Sequence, residues 1–582
     1  MAGTNRTVPI FISVEEDEIP DSNNNNNIDL TDDDDDERQI ERDLTTGEIE
    51  DYERLTRPAG HRILQSADSP ICGLITPSDP NHRCVERTNG DFLLVKYILQ
   101  PPRGEIYLQG VLLRRNSYVM KKIGMYHQLH AVLPVQKNEL CMIIKTPENS
   151  LGCSLDDSCL VIMLLSDAVS IRELDLTNQV HPARSYVERG EYSVQVHGRH
   201  VVEEHANLVC RWKYVEEVNV AQRKATAFQL APLDAAECDT ALGVCNAVKF
   251  KVFRGASNTG QQSYTAADLF SGAGGTVSGM VLAGLDVKYA LDFDQHSCST
   301  LRLNQDANID HILHMDISDF ITSEPDTRTD GDQVDILHVS FPCPAHSHLN
   351  RGQNPERDAV GIALSYSLKE IVEKVRPRVI TLEQTNGILS KNEGQHFRPL
   401  LQALTSSGYA VRWKVVNFAE HKNSQRRKRL IIIGSCPGEI LPPFPMPTYG
   451  PGKRPFTTIN DWISDIPAYC FDGIMGRGSC KRNALPYNIH APLRECIVRS
   501  GSGAGNVHPD GNRSFCLREL ACLQTFAPNY RFAGGINAIR LQIGNAVPPV
   551  VARSIFREIV KSLRRSDAEM AAYRPEVIEL DD

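Results

Sequence analysis

"YTAADLFSGAGGTVSGMVLAGLDVKYALDFDQ" (Tyr264–Gln295) joins an apolar run of strand length to a cluster of glycines, a helix-compatible stretch and a second apolar run ending in an acid. Glycines let the backbone turn sharply into a helix and come close to a ligand. Outward from there the rhythm repeats in "VDILHVSF", "PRVITLEQ", "YAVRWKVV" and "RKRLIIIG". Short apolar runs spaced by helix-compatible segments predict an α/β fold, a Rossmann-like doubly wound parallel sheet. Ligands in such sheets bind beyond the carboxyl ends of the strands, so the informative residues should sit just after each run.

After the first run come Phe270, Ser271, Gly272, Gly274 and Gly275. A dinucleotide fingerprint needs a third glycine where Val277 stands, so pyrophosphate is not the natural ligand. Asp292, ending the second run, is placed to bind ribose hydroxyls, and Phe293 beside it to cover a flat base. A nucleoside-like cofactor fits, although any α/β protein has a glycine turn after its first strand. "HVSFPCPAHSH" (His338–His348) sets Cys343 between two prolines at a strand end. From the residues alone that thiol could be core, metal ligand or nucleophile, and for an isolated cysteine an inert buried role is the favoured one.

The chain has 582 residues and a formal charge of −11. Residues 1–51 hold 17 acidic and 3 basic side chains, leaving 56 acidic and 59 basic elsewhere, so the acidity belongs to a tail on a near-neutral body. Sixteen cysteines include no CxxC pair, which fits a reducing compartment and makes zinc or another metal site unexpected. No run of 18 apolar residues and no signal-peptide pattern occurs, so no membrane span is expected. Residues 1–60 are polar, acidic and repetitive and should be disordered. Residues 88–250 read as a mostly β module in "DFLLVKYILQ", "GEIYLQGVLLRR", "CLVIMLLS" and "YSVQVHG". "GEIYLQGVLLRR" with "LPVQKNELCMII" resembles a bromo-adjacent-homology (BAH) domain, a chromatin-reading β fold.

"DLFSGAGG", "SFPCPAHS", "TLEQT", "SQRRKR", "RELACLQTF" and "QIGNAVPP" occur in the order and spacing of the cytosine-C5 DNA methyltransferases. The resemblance covers roughly residues 265–562. Within that family "EQT" (Glu383, Gln384, Thr385) is similar to the fungal RID-type branch. The resemblance implies a class I methyltransferase fold, S-adenosylmethionine as cofactor and cytosine in duplex DNA as substrate. It divides the chain into a catalytic core at 262–435, a target-recognition region at 436–512, a C-terminal part of the core at 513–562 and an acidic tail at 563–582.

Cytosine C5 is too weak a nucleophile to take a methyl group unaided, and a thiolate adding at C6 turns the ring into an enamine. The motif match makes Cys343 that nucleophile and Glu383 the acid at the N3 edge. Arg427 and Arg429 match the paired arginines that hold base and acid; two residues apart on a strand they would share a face. The resemblance puts Phe270, Ser271, Gly272, Gly274, Gly275, Asp292, Phe293, Asp316, Ile317, Pro342, Asn545 and Val547 at the cofactor. The target base has to be flipped out of the stack. His346, His348 and Arg351 in the loop after Cys343, with Gln425, are the candidates for meeting DNA.

Two positions depart from the family pattern: Pro344 follows the nucleophile where glutamine is usual, and His346 stands in place of phenylalanine. Proline removes a backbone N–H there, yet neither change deletes the nucleophile or the acid. Three readings follow: a nuclear DNA cytosine-5 methyltransferase, a silent or weak DNA- and chromatin-binding regulator, and an RNA cytosine-5 methyltransferase. "IDLTDDDDDE" (Ile28–Glu37) and "VIELDD" (Val577–Asp582) pair a short aliphatic strand with acids, as SUMO-interacting peptides do.

Overall fold

In the computed structural model, residues 60–123, 133, 138–147, 159–181, 183–190, 192–219, 224–239, 263–304, 309–324, 332–342, 367–389, 396–466, 486–493, 496–497, 508–511 and 513–572 are described. The acidic segments Ile28–Glu37 and Val577–Asp582 lie outside them, as does all of the N-terminal tail to residue 59.

The repeating apolar runs become seven strands: β1 (Thr265–Leu269), β2 (Asp286–Asp292), β3 (Ile309–His314), β4 (Ile336–Val339), β5 (Val379–Thr385), β6 (Ala410–Asn417) and β7 (Lys428–Ser435). Their order is β3-β2-β1-β4-β5-β7-β6. Neighbours from β3 to β5 run parallel, while β7 is antiparallel to both β5 and β6. The sheet is therefore doubly wound but mixed, with its order reversing between β1 and β4. That switch point is where a ligand crevice opens in such folds.

Helices cover both faces. On one lie α1 (Gly275–Leu282) and the long α8 (Pro549–Ala572), whose Val551, Phe556 and Ile559 share a core with Val277, Met280, Val287 and Ile431. Gly279 makes their approach possible: a Cβ there would sit 2.4 Å from that of Ala552. On the other face α5 (Phe397–Ser406) lies over β7, where a side chain at Gly434 would meet Ile380 and Leu404. Between the strands run α2 (Gln295–Leu303), α3 (Ile317–Thr322) and α4 (Leu368–Val375), followed near the C-terminus by α6 (Leu517–Leu523) and α7 (Ile536–Asn545).

The N-terminal third is rich in strands, as its alternating runs predict, and they begin earlier than residue 88: Arg62–Leu64 already pairs with Phe92–Gln100. "YSVQVHG" departs from its strand reading. Val194–His197 is a single helical turn closed by Gly198, with Val194 and Val196 exposed, so the alternation there has no sheet to face. The module is continuous with the catalytic sheet. Lys224–Pro232 pairs antiparallel with β6, setting Phe228 opposite Trp413 and Gln229 opposite Arg412. The rings of Phe228 and Trp413 stack at 5.6 Å, and buried Arg412 donates to Gln229 Oε1 at 2.6 Å.

The domain boundary at 562 also moves, because α8 continues through Ala572. Residues 563–572 are not tail: Leu563 is fully buried, and Asp567 accepts from Tyr264 Oη at 2.7 Å and pairs with Arg378 at 2.5 Å. Among the described residues no helix is long and apolar enough to cross a membrane.

Candidate active site

The turn after β1 is built on unusual backbone. Phe270 adopts φ 61°, a conformation costly for a side chain with a Cβ, and its ring packs 5.2 Å from that of Phe341. Gly272 and Gly274 follow at φ 52° and 78°. The Ser271 hydroxyl donates to the Asp268 carbonyl at 2.7 Å and holds the turn against β1. Gly275 opens α1 under the Val547 carbonyl, where a Cβ would lie 2.2 Å from that oxygen. Glycine is thus required at 275 to let "QIGNAVPP" close over the turn.

Two carboxyls sit beside the turn. Asp292 ends β2 almost buried; its Oδ2 accepts from Gly272 N at 2.7 Å and its Oδ1 from Asp294 N at 2.8 Å. Burial raises its pKa, and those backbone donors work against the rise. Each oxygen retains capacity for a further donor such as a ribose hydroxyl. Asp268 is 1% exposed, and neither of its carboxyl oxygens has a hydrogen-bond partner among the described residues. Burial, then the charge of Asp292, pushes its carboxyl well above the usual range.

Phe293 beside them is 65% exposed, a flat apolar surface at the mouth of the turn. Asp316 is exposed and caps α3 by accepting from Ser318 N at 2.8 Å, with Ile317 buried behind it. The Asp292 carboxylate with acceptor capacity left, a glycine with open space at its Cβ position and an exposed aromatic ring fit a nucleoside such as S-adenosylmethionine.

Across the sheet, β5 ends in the acid. Glu383 is buried, with Arg429 Nε on β7 2.9 Å from its Oε1. The angle falls short of a hydrogen bond, so that oxygen can still engage another donor. The next residue serves the neighbouring strand: Gln384 Nε2 donates to the Phe341 carbonyl at 3.1 Å. Phe341 and Pro342 are the last described residues before Cys343. An amide from the acid strand therefore fixes the chain two residues ahead of the thiol. Cys343 itself, with Pro344, His346, His348 and Arg351, lies outside the described residues.

Arg427 does not share Arg429's contact. It is 2% exposed and donates to the carbonyls of Ile497 at 3.1 Å, Gly544 at 3.2 Å and Ala546 at 3.4 Å. It ties the start of β7 to the target-recognition region and to the end of α7. Gln425, expected at the DNA, is instead fully buried: its amide reaches Gln524, and its Oε1 accepts from Ile497 N at 2.9 Å. Its position inside the junction between "SQRRKR" and "RELACLQTF" gives it a structural task. Asn545 is exposed at the end of α7, whereas Val547 is buried against α1.

Two side chains escaped the sequence reading. Asp268 opens "DLFSGAGG", and its only signal is an acid ending a run of small apolar residues. His338 is the matching case in β4. No cluster of three or more potential metal ligands occurs among the described residues.

The family model for C-5 cytosine-specific DNA methylases matches residues 264–470 and 474–561. The chain is 29% identical over 339 residues to the type II methyltransferase M.Sau96I of Staphylococcus aureus, covering 52% of this chain and 77% of that one. It is 28% identical over 319 residues to M.NgoFVII of Neisseria gonorrhoeae, covering 48% and 82%. Among solved structures the S. pombe Dnmt2 methyltransferase aligns over 52% of this chain and 99% of its own, at 14% identity and a TM-score of 0.38.

Proposed function

The chain belongs to the C-5 cytosine-specific DNA methylase family, and from that premise we propose that it is a DNA cytosine-5 methyltransferase working on duplex DNA. The observation that supports this most is the coupling at the ends of β4 and β5. A buried acid faces Arg429, and its neighbour Gln384 holds the chain leading to Cys343.

S-adenosylmethionine, held by the turn at 270–275 with Asp292 and Phe293, supplies an electrophilic methyl group when bound. The protein's part is to make C5 nucleophilic. The target cytosine leaves the stack, since ring carbons inside a duplex are out of a thiol's reach. The Cys343 thiolate forms a bond to C6, and the electron pair displaced toward N3 is met by the proton of Glu383. Arg429 orients that carboxyl. After methylation a base removes the C5 proton, the ring electrons return and the C6–S bond breaks, releasing the thiolate.

The same reading extends to the setting. The Glu-Gln-Thr sequence at 383–385 resembles the RID-type branch and the acidic N-terminal segment is compatible with it, which supports reading the chain as a nuclear enzyme of fungal chromatin silencing or sexual development. The strand-rich N-terminal third serves as a BAH-like chromatin module, and the acidic segments Ile28–Glu37 and Val577–Asp582 take SUMO as an added-strand partner.

The test is a covalent trap: purified protein, labelled S-adenosylmethionine and duplex DNA carrying 5-fluorocytosine, which has no C5 proton to lose. Wild type should form an adduct that Cys343→Ser abolishes. No adduct on varied DNAs despite measured cofactor binding would replace this reading with the silent regulator. Transfer to tRNA and not to DNA would replace it with an RNA enzyme.

A further inference from the structure

His338 occupies the inward face of β4, buried beneath the site with both ring nitrogens engaged. Nδ1 lies 2.7 Å from Thr381 Oγ1 and Nε2 lies 2.7 Å from Ser340 Oγ. Those two partners belong to the two halves of the chemistry. Ser340 stands three residues before Cys343, and Thr381 stands two before Glu383 on the same face of β5. The Phe556 ring on α8 packs nearly perpendicular to the imidazole, with centroids 6.2 Å apart. His338, Thr381 and Glu383 line one small void, so the ring and the acid border the same space.

We propose that His338 is a positioning residue, an imidazole clamp that sets the nucleophile-bearing turn at a fixed distance from the acid-bearing strand. This rests on the methyltransferase reading and adds a residue to it. Burial holds the ring neutral, its pKa lowered to about 3, so one nitrogen donates and the other accepts. A neutral imidazole satisfies two hydroxyls at opposite ends of a rigid plane. Aliphatic side chains of similar bulk fill the space and satisfy neither. Ser340 is further tied to β1, its N–H donating to the Leu269 carbonyl at 3.2 Å. A shift in its side-chain anchor therefore passes along the chain toward Cys343.

Three variants separate the two ends of the clamp. His338→Leu removes both bonds, His338→Asn places an amide where Nδ1 was, and His338→Gln places one where Nε2 was. Two readouts are taken: single-turnover adduct formation with 5-fluorocytosine DNA, and the rate of iodoacetamide alkylation of Cys343 resolved by peptide mass spectrometry, which needs neither DNA nor cofactor.

Misplacing a reacting group by about 1 Å costs up to about 100-fold. His338→Leu should therefore slow adduct formation by about 10- to 100-fold at unchanged KM for DNA, and should change Cys343 alkylation several-fold while leaving the other cysteines alone. His338→Gln should restore Cys343 reactivity, and His338→Asn should not. Wild-type adduct rate and alkylation in folded His338→Leu overturn the clamp and leave the methyltransferase reading standing. A wild type that forms no adduct, yet whose Cys343 reactivity depends on His338, supports the clamp and overturns that reading. If the leucine variant does not fold, equal reactivity in the glutamine and asparagine variants overturns the clamp, and restoration by glutamine alone supports it.

Discussion

Replacing Arg427 by methionine and Arg429 by lysine separates two arginines that stand only two residues apart. Methionine at 427 retains an apolar stem and removes every guanidinium donor. Of its three carbonyl partners, that of Ala546 stays paired, because Gln524 Nε2 also donates to it at 2.8 Å. The carbonyls of Ile497 and Gly544 lose a buried donor, at about 1–3 kcal/mol each, so a loss of about 3 kcal/mol is expected after some relaxation. With roughly 2–4 °C per kcal/mol for a large domain, the melting temperature should fall by about 6–12 °C.

Lysine at 429 retains a positive charge near Glu383 but loses the Nε held 2.9 Å from the carboxyl and the Nη1 bond to the Lys428 carbonyl that fixes the guanidinium plane. Its melting temperature should stay within about 3 °C of wild type, a change of about 1 kcal/mol or less, while methyl transfer falls at least about tenfold. Thermal denaturation followed by circular dichroism, together with single-turnover transfer, reads both. If Arg427→Met melts with wild type, or Arg429→Lys is the more destabilised of the two, the division of labour argued from their contacts is wrong.

Gly279→Ala should cost about 1–3 kcal/mol in urea denaturation, since its methyl would press on Ala552; an unchanged midpoint contradicts the close α1–α8 packing. Asp268→Asn should alter the pH dependence of stability. The folded pKa lies above the ordinary value of 3.8, so between the two the folded state holds more protons and stability declines as pH rises through that window. The variant should decline less steeply than wild type there, and parallel curves would show that the carboxyl is not held protonated. Glu383→Gln should leave cofactor affinity intact in calorimetry and cut transfer about 10²- to 10⁴-fold; unchanged turnover removes it from the mechanism. A peptide spanning residues 25–38 should show resonance shifts on SUMO titration, and none would end that proposal.

The run of apolar segments was enough to read a doubly wound sheet, because alternation and run length report burial directly. Strand direction is a different matter. "RKRLIIIG" has the same apolar faces whether it runs parallel or antiparallel, and only the pairing of β7 with β5 and β6 reveals its reversal. The acid at 383 and the glycine turn were legible because their motif order is specific. Arg427 was read by motif match as a partner of Arg429 at the base and acid, and Gln425 as a DNA contact, yet their partners come from segments 70 or more residues away, which no local pattern encodes. His338 was hidden for the same reason: one polar residue in "VDILHVSF" acquires meaning only when Thr381 arrives beside it. "YSVQVHG" misled because period two signals a strand only where a neighbouring strand exists to receive it.

The pairing of Lys224–Pro232 with β6 also has a consequence for biosynthesis. Its outer edge stays open until Ala410–Asn417 has left the ribosome, roughly 180 residues later. At 5–20 residues per second the nascent chain carries that unsatisfied row of N–H and C=O groups for roughly 10–35 s. A lysine at one end and a proline at the other are the kind of residues that discourage a stray strand from docking there first. Newly made chains thus cross a period in which the N-terminal part is shaped but still waiting for its neighbour, and crowding on polysomes would be felt most at that strand.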